Sequence, residues 1–123
     1  MSEDYILIVD DEEQVHTLLK LILKSIPVDK RFAFHGKEAL ELVHQQIPRL
    51  IVLDLMMPIM DGDTTLGHLA ADPATAGIPV MIFTAAAEHL LNRRWPEQVV
   101  EVVQKAGYKP AELRSKIERH IAL

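Results

Sequence analysis

The sequence predicts an α/β fold, namely a doubly wound, five-stranded parallel sheet in the order 2-1-3-4-5 with helices on both faces. Short apolar runs alternate with amphipathic stretches along the chain, which is typical of repeated strand–helix units. The run from Tyr5 to Val9 is apolar at every position, as expected for a strand that is covered on both faces. Crossovers between parallel strands are right-handed, and a common order for five such strands is 2-1-3-4-5.

The composition is that of an ordinary globular domain. The 123 residues suit one domain spanning 1–123, and 49% of them are hydrophobic while 25% are charged. These fractions exclude disordered, collagen-like and coiled-coil classes. The chain has no cysteine, which excludes a disulfide framework, an iron–sulfur cluster and a thiolate zinc site.

The charge balance argues against nucleic acid as a direct partner. Thirteen Lys and Arg against 18 Asp and Glu give a net charge of −5, whereas a nucleic-acid surface needs an excess of basic residues. The segment from Met1 to Asp4 is acidic, through Glu3 and Asp4, where a signal peptide would be basic. No apolar run approaches the ~18 residues of a membrane span. We therefore expect a cytoplasmic protein without membrane association.

The elements of the first half follow from apolar spacing and from prolines. After the first strand, apolar residues at helical spacing predict a helix over 12–25, which Pro27 ends. The same reasoning predicts a strand over 31–34, a helix over 36–46 and a strand over 50–53.

The second half repeats the strand–helix alternation. The turn Asp61-Gly62 precedes a helix over 63–71, and the run 80–83 is the fourth strand. A short helix is predicted over Ala85 to Arg94, ending near Trp95-Pro96. The last elements are a fifth strand over 99–104 and a helix over 110–121, with Pro110 suited to its first turn.

Polar side chains follow four of the predicted strands at their carboxyl ends. They are Asp10 and Asp11 after strand one, Asp54 after strand three, Thr84 after strand four and Lys105 after strand five. Taken singly, each has a simpler explanation, because acids favour helix amino termini and threonine is common in strands. Ligands bind such sheets at this edge, where the strand order reverses, so the joint occurrence favours a functional site.

These side chains suit phosphoryl chemistry. Clustered carboxylates repel one another, and Mg²⁺ relieves that repulsion while it keeps waters and phosphate oxygens as further ligands. A carboxylate beside Mg²⁺ can attack phosphorus as a nucleophile. A lysine and a hydroxyl can then stabilise the charge on the transferred group.

Three segments resemble the receiver domain of bacterial two-component response regulators, which has a flavodoxin-like fold. They are Ile6 to Asp11, Asp54 to Gly62 with its Asp-x-x-Met-Pro-x-Met-Asp-Gly pattern, and Ile82 to Ala85. The resemblance implies that Asp54 accepts a phosphoryl group from a sensor kinase histidine. It further implies that Mg²⁺ is bound directly by Asp11, Asp54 and the Met56 carbonyl, and through water by Asp10. Thr84 would supply the switch hydroxyl, and Lys105 would be the phosphate-binding lysine.

The sequence departs from the family pattern after strand five. The family usually has Lys-Pro after strand five, but here Lys105 is followed by Ala106. A Lys-Pro dipeptide does occur further along the chain, at Lys109-Pro110. We predict that Lys105 is the functional lysine, because the fifth strand leads directly to it, and that Gly107 adopts a positive φ in the altered turn. The usual aromatic of strand five is Val102 here, so we expect Ala85 to Trp95 to carry the conformational response.

The resemblance implies a single-domain receiver in a phosphorelay, which is not an enzyme beyond its own phosphorylation and dephosphorylation. Its expected partners are a sensor histidine kinase or histidine phosphotransfer protein and a downstream protein target, and the phosphorylated form is a candidate dimer.

Three alternative functions fit the sequence less well. A haloacid-dehalogenase-like phosphatase needs a second acid two residues after its nucleophile, where this chain has Met56. A flavin-binding electron carrier needs a first loop that attracts phosphate, whereas the run from Asp10 to Glu13 repels it. A non-phosphorylated, receiver-like interaction scaffold has no use for the complete set of acids.

Overall fold

The computed structural model describes residues 4–85 and 92–121. The strands are β1 (Tyr5–Val9), β2 (Asp29–Ala33), β3 (Leu50–Leu53), β4 (Val80–Thr84) and β5 (Val99–Gln104). The helices are α1 (Glu13–Ile22), α2 (Gly36–Gln45), α3 (Gly62–Ala71) and α4 (Pro110–Ile121).

The five strands form one parallel sheet in the order β2-β1-β3-β4-β5. The predicted fold class and strand order are therefore confirmed. In the register of the two central strands, Val9 lies opposite Leu53. Since both strands end at this pair, the residues that follow them leave the sheet side by side at its carboxyl edge.

Two apolar layers cover the two faces of the sheet. Alternate residues of a strand point to opposite faces, so β1 contributes to both layers. Ile6 and Ile8 pack in the layer that contains residues of α1 and α4, such as Leu19 and Ile117. The other residues of β1 pack in the layer formed with α2 and α3. The prediction of helices on both faces is confirmed.

Helix α1 ends at Ile22, earlier than the predicted end at Ser25. Leu23 and Ile26 are both buried, at 0% and 2% exposure, and the Ile26 N–H donates to the Leu23 carbonyl at 3.0 Å. A turn here places both side chains in the core. Pro27 also disfavours helical backbone at the residue before it, which the apolar spacing alone did not reveal.

Strand β2 begins at Asp29 and ends at Ala33, whereas the sequence predicted 31–34. The strand lies at the edge of the sheet, where it pairs with β1 alone and Asp29 lies opposite Tyr5. Backbone pairing thus extends the strand through residues whose polar side chains reach solvent. Such residues are poor strand formers by propensity, so the prediction missed them.

The helix predicted over Ala85 to Arg94 falls largely outside the described residues, which resume at Asn92. Beyond that point, the Arg93 guanidinium lies 3.7 Å above the centre of the Trp95 ring. Arg93 also pairs with Asp63 in the first turn of α3, and Trp95 packs against the apolar layer of α2 and α3. The described end of the connection between β4 and β5 therefore packs against α3.

No helix within residues 4–85 and 92–121 is long and apolar enough to cross a membrane. Even α4 has only 12 residues, whereas a helical span needs about 20.

Candidate functional site

Asp10 and Asp54 lie next to each other at the carboxyl edge of the sheet. The Asp54 N–H donates to the Val9 carbonyl at 3.0 Å, which continues the pairing of β1 with β3 by one residue. Asp10 is 2% exposed and Asp54 is 4% exposed. Burying two carboxylates is costly unless charged or polar partners compensate for their lost hydration, so their partners define the site.

The Lys105 ammonium is the principal partner of these acids. Its backbone N–H donates to the Thr84 carbonyl at 2.8 Å, which sets Lys105 at the end of β5. Its Nζ lies 2.7 Å from Asp10 Oδ2, 3.1 Å from Asp54 Oδ2 and 3.2 Å from Glu12 Oε1. One lysine thus contacts three carboxylates that come from two separate loops.

The electrostatics of the site reflect burial and pairing together. Burial raises the pKa of Asp10. The hydrogen bonds that its carboxylate accepts from Lys105 and from the Glu12 N–H lower this pKa, each by less than burial raises it. Burial by itself lowers the pKa of Lys105, but hydrogen bonding to Asp10 and the charge of Asp54 raise it above its ordinary value of 10.5. The ammonium is therefore charged at neutral pH and offsets part of the negative charge.

Four acidic side chains could hold a divalent cation here. Each offers a carboxylate oxygen, and these oxygens lie within 4.8 Å of one another; the residues are Asp10, Asp11, Glu12 and Asp54. In formal charges, four carboxylates against the ammonium of Lys105 give a net charge of −3 (four negative, one positive). A compact set of carboxylate oxygens with excess negative charge fits a hard cation such as Mg²⁺.

Glu12 was not predicted as a site residue. Of the acidic run that follows the first strand, the resemblance to receiver domains implies site roles for Asp10 and Asp11 alone. The available signal was the position of Glu12, because the residue at the N-cap of α1 can turn its side chain back toward the sheet edge. Its contact with Lys105 joins residues that are 93 positions apart, so the contact itself was not predictable.

The loop after Asp54 is a tight turn under backbone strain. The Met56 N–H donates to Asp54 Oδ1 at 3.3 Å, while the Met56 side chain is 66% exposed. The Met60 N–H donates to the Pro58 carbonyl at 2.7 Å, and between them Ile59 has a φ of 68°. A β-branched residue rarely adopts a positive φ. The loop holds the backbone N–H of Met56 on the Asp54 carboxylate.

Thr84 ends β4 and is 1% exposed, so it lies at the same edge of the sheet as the acids. The structure therefore brings together the side chains of Asp10, Asp11, Asp54 and Lys105, with Thr84 at the same edge of the sheet. The predicted contribution of Met56 is a backbone carbonyl. The predicted response segment, Ala85 to Trp95, falls partly outside the described residues. Val102, at the position that is aromatic in the family, is partly buried against the layer of α2 and α3.

The turn after Lys105 separates it from the second candidate lysine. Gly107 has a φ of 79°, as predicted for this turn. Tyr108 returns to the core and packs edge-on against Phe83, with 5.2 Å between the ring centres. Lys109 follows on the exposed surface immediately before α4. The acids are thus in contact with Lys105, as expected from the end of the fifth strand.

A comparison with known families identifies the family of this chain. The sequence model of the response regulator receiver domain matches residues 6–118. This chain belongs to the response regulator receiver domain family. The predicted resemblance is therefore confirmed, and receiver domains as a class bind Mg²⁺ at an acidic cluster of the kind formed here and act with sensor histidine kinases and downstream targets.

Relatives place similar domains in larger proteins. The DNA-binding dual master transcriptional regulator RpaA of Synechocystis sp. is 39% identical over 83 residues, which cover 68% of this receiver domain and 34% of RpaA. The sensor histidine kinase TmoS of Ectopseudomonas mendocina is 29% identical over 118 residues, which cover 96% of this chain and 12% of the kinase. This chain therefore spans about a third of RpaA and a smaller part of TmoS.

The fold also matches solved receiver structures. The N-terminal domain of a response regulator receiver protein from Methanoculleus marisnigri aligns with a TM-score of 0.75 and 31% identity, covering 99% of both chains. Similarity over nearly the whole of both chains agrees with the match to the receiver family.

Proposed function

We propose that this receiver domain accepts a phosphoryl group on Asp54 from a phosphohistidine, in the presence of Mg²⁺, as a step of a two-component phosphorelay. The observation that carries the proposal is the arrangement around Asp54. Its carboxylate lies beside the acids of the β1 loop and 3.1 Å from the Lys105 ammonium, in a chain whose family is matched over residues 6–118.

In the proposed reaction, a carboxylate oxygen of Asp54 attacks the phosphorus of the donor phosphohistidine. An O–P bond forms and the N–P bond breaks, so that the electron pair of the broken bond returns to the imidazole nitrogen of the donor. The imidazole leaves in its neutral form after it takes up a proton from solvent. The product is an acyl phosphate on Asp54.

The acidic set fits Mg²⁺, and in this proposal Asp11, Asp54 and the Met56 carbonyl hold it directly while Asp10 acts through water. When bound, the cation neutralises the negative charge of the carboxylates and of the phosphoryl oxygens. The burial of Asp10 and Asp54 keeps these carboxylates in place before transfer.

Lys105 and Thr84 are proposed to bind the transferred group. The Lys105 ammonium, which already contacts Asp54, can pair with a phosphoryl oxygen once the carboxylate is phosphorylated. The Thr84 hydroxyl can donate to another phosphoryl oxygen from the neighbouring strand end. A new hydrogen bond from Thr84 to the phosphoryl group is a local change of the kind that biases a segment with two conformations.

The output of the domain is proposed to be protein–protein binding, transfer of the phosphoryl group to another histidine, or self-association of the phosphorylated form. The donor is proposed to be a sensor histidine kinase or a histidine phosphotransfer protein. In this proposal the domain catalyses only its own phosphorylation and dephosphorylation. Since Met56 follows Asp54 by two residues and has no acidic hydrogen, it cannot act as the general acid of a phosphatase.

The test is the intact mass of the protein after incubation with acetyl phosphate and Mg²⁺. We expect one added phosphoryl group, lost in Asp54→Asn and retained in Asp29→Asn, which changes an exposed aspartate at the start of β2. A mass gain that persists in Asp54→Asn would refute the assignment. Multiple-turnover hydrolysis of generic phosphate esters would support the phosphatase alternative.

A further inference from the structure

We propose that Glu12 is a positioning residue that holds Lys105 at the rim of the site when a cation binds to the acidic cluster. The inference rests on the proposed function and adds to it a role for a residue outside the predicted set. It starts from the three contacts of the Lys105 ammonium, each of which lies within 3.2 Å.

The lysine and a metal ion require the same oxygens. An ammonium has three N–H donors. The Lys105 ammonium contacts three carboxylates, so each of its donors has a partner. Two of those carboxylates, Asp10 and Asp54, are needed by Mg²⁺ in the proposed reaction. Since two cations repel each other on shared ligands, Lys105 must leave at least one of these carboxylates when the metal binds.

Glu12 differs from the other two acids in its freedom to move. Asp10 and Asp54 are buried on short side chains, with their side chains 3% and 4% exposed, whereas the Glu12 side chain is 53% exposed. The Glu12 backbone is fixed, because its N–H donates to Asp10 Oδ1 at 2.9 Å. Only the longer side chain of Glu12 can therefore follow the ammonium while its backbone stays at the site.

A lysine that is retained by Glu12 remains within reach of the phosphoryl oxygens on Asp54. Without Glu12, Lys105 has only Asp10 and Asp54 as carboxylate partners and competes with Mg²⁺ more strongly for them. Loss of Glu12 should therefore weaken Mg²⁺ binding through Lys105, beyond the general loss of one negative charge. This distinguishes the proposed role from that of an acid that merely favours the amino terminus of α1.

The chain provides a matched control in Glu13, the next residue, which is also acidic, exposed and in the first turn of α1. The experiment is a calorimetric Mg²⁺ titration of wild type, Glu12→Gln and Glu13→Gln, each also combined with Lys105→Met. We expect Glu12→Gln to weaken Mg²⁺ affinity about threefold and Glu13→Gln by clearly less. In the Lys105→Met background, the effect of Glu12→Gln should shrink toward that of Glu13→Gln.

A second measurement separates lysine positioning from a general charge effect. At saturating Mg²⁺, we expect Glu12→Gln to slow phosphorylation by acetyl phosphate, and Glu12→Asp, which keeps the charge on a shorter side chain, to recover part of the rate. Circular dichroism checks that each variant is folded, and the exposure of both glutamates makes this the expected result.

Two results would overturn the inference. Equal effects of Glu12→Gln and Glu13→Gln in the wild-type background would show that Glu12 affects Mg²⁺ binding only through its negative charge. An effect of Glu12→Gln that persists undiminished in Lys105→Met would make Glu12 a metal ligand rather than a holder of the lysine. Failure of the wild type itself to bind Mg²⁺ would instead refute the proposed function on which the inference rests.

Discussion

Gly62 lies against the backbone of Asp54. A Cβ atom placed on Gly62 would be 2.2 Å from the Asp54 carbonyl oxygen and 2.6 Å from Leu55 Cα. The Gly62 N–H also donates to the Leu55 carbonyl at 2.9 Å. The glycine that begins α3 therefore permits the close approach that sets the backbone of the acceptor residue.

Gly62→Ala should destabilise the fold by about 2 kcal/mol, because backbone atoms rather than a flexible side chain must move. Gly67→Ala, in the same helix, is the matched control: apart from its chain neighbours and the backbone of its own helix, no described atom lies within 4 Å of an added Cβ, so it should stabilise by about 0.5–1 kcal/mol. Urea unfolding measures both. Equal effects of the two substitutions would show that Gly62 is not constrained by Asp54.

Ile59 stores strain in the acceptor loop. Its φ is 68° and its side chain is 76% exposed, so replacement loses little burial. We expect Ile59→Asn to raise the free energy of unfolding by about 1 kcal/mol, since asparagine adopts this backbone more readily. Ile47→Asn, which changes another exposed isoleucine, should bring no such gain. Chemical denaturation of both variants tests the difference; a loss of stability in Ile59→Asn would contradict it.

His16 should make the fold sensitive to mild acid. The ring is 3% exposed between Phe32 and Phe34, and no described residue is hydrogen-bonded to its Nε2. Burial lowers the pKa of His16 below its ordinary value of 6.5. The unfolded chain therefore binds this proton first as the pH falls, so stability is full above pH 6.5 and declines below it as the pH approaches the folded-state pKa.

Replacing His16 tests this pH dependence. In His16→Leu the decline in stability between pH 6.5 and 5 should become shallower. The control His68→Gln, at an exposed position of α3, should keep the wild-type profile. Thermal unfolding across this range provides the measurement, and an unchanged slope in His16→Leu would count against the assignment.

Lys105 and Lys109 should differ sharply in function. Lys105→Ala removes the ammonium that contacts Asp10 and Asp54, so phosphorylation by acetyl phosphate should slow at least about tenfold. The variant also leaves buried carboxylates unpaired, which should reduce stability by about 3 kcal/mol without metal. Lys109→Ala should change neither quantity. Phosphorylation rates and urea unfolding would reveal the opposite ranking if the strand-five assignment were wrong.

Trp95 should report the conformational response. It is the single tryptophan of the chain, stacked against Arg93 at the described end of the connection between β4 and β5. If this connection responds to Asp54, beryllofluoride with Mg²⁺ should shift the Trp95 emission. The same addition to Asp54→Asn should leave the emission unchanged. A response in both proteins would indicate an effect unrelated to the acceptor.

The sequence by itself determined the fold class, the strand order and the group of side chains at the carboxyl edge. Continuous apolar runs identify buried parallel strands, and parallel strands place whatever follows them at one edge, so Asp10, Asp54, Thr84 and Lys105 could be grouped before any coordinates. The same argument selected Lys105 over Lys109, because only the former directly follows a strand. These conclusions depend on periodicity and on order along the chain, which are local properties of a sequence.

Only the tertiary structure decided which residues contact one another at this edge of the sheet. The contact of Glu12 with Lys105 and the approach of Gly62 to Asp54 depend on how loops from different strands are placed relative to one another within a few ångströms. The start of β2 at Asp29 likewise follows from pairing with β1, which offsets an unfavourable strand propensity. Pairing, packing and charge compensation act between residues distant in sequence, and no periodicity along the chain records them.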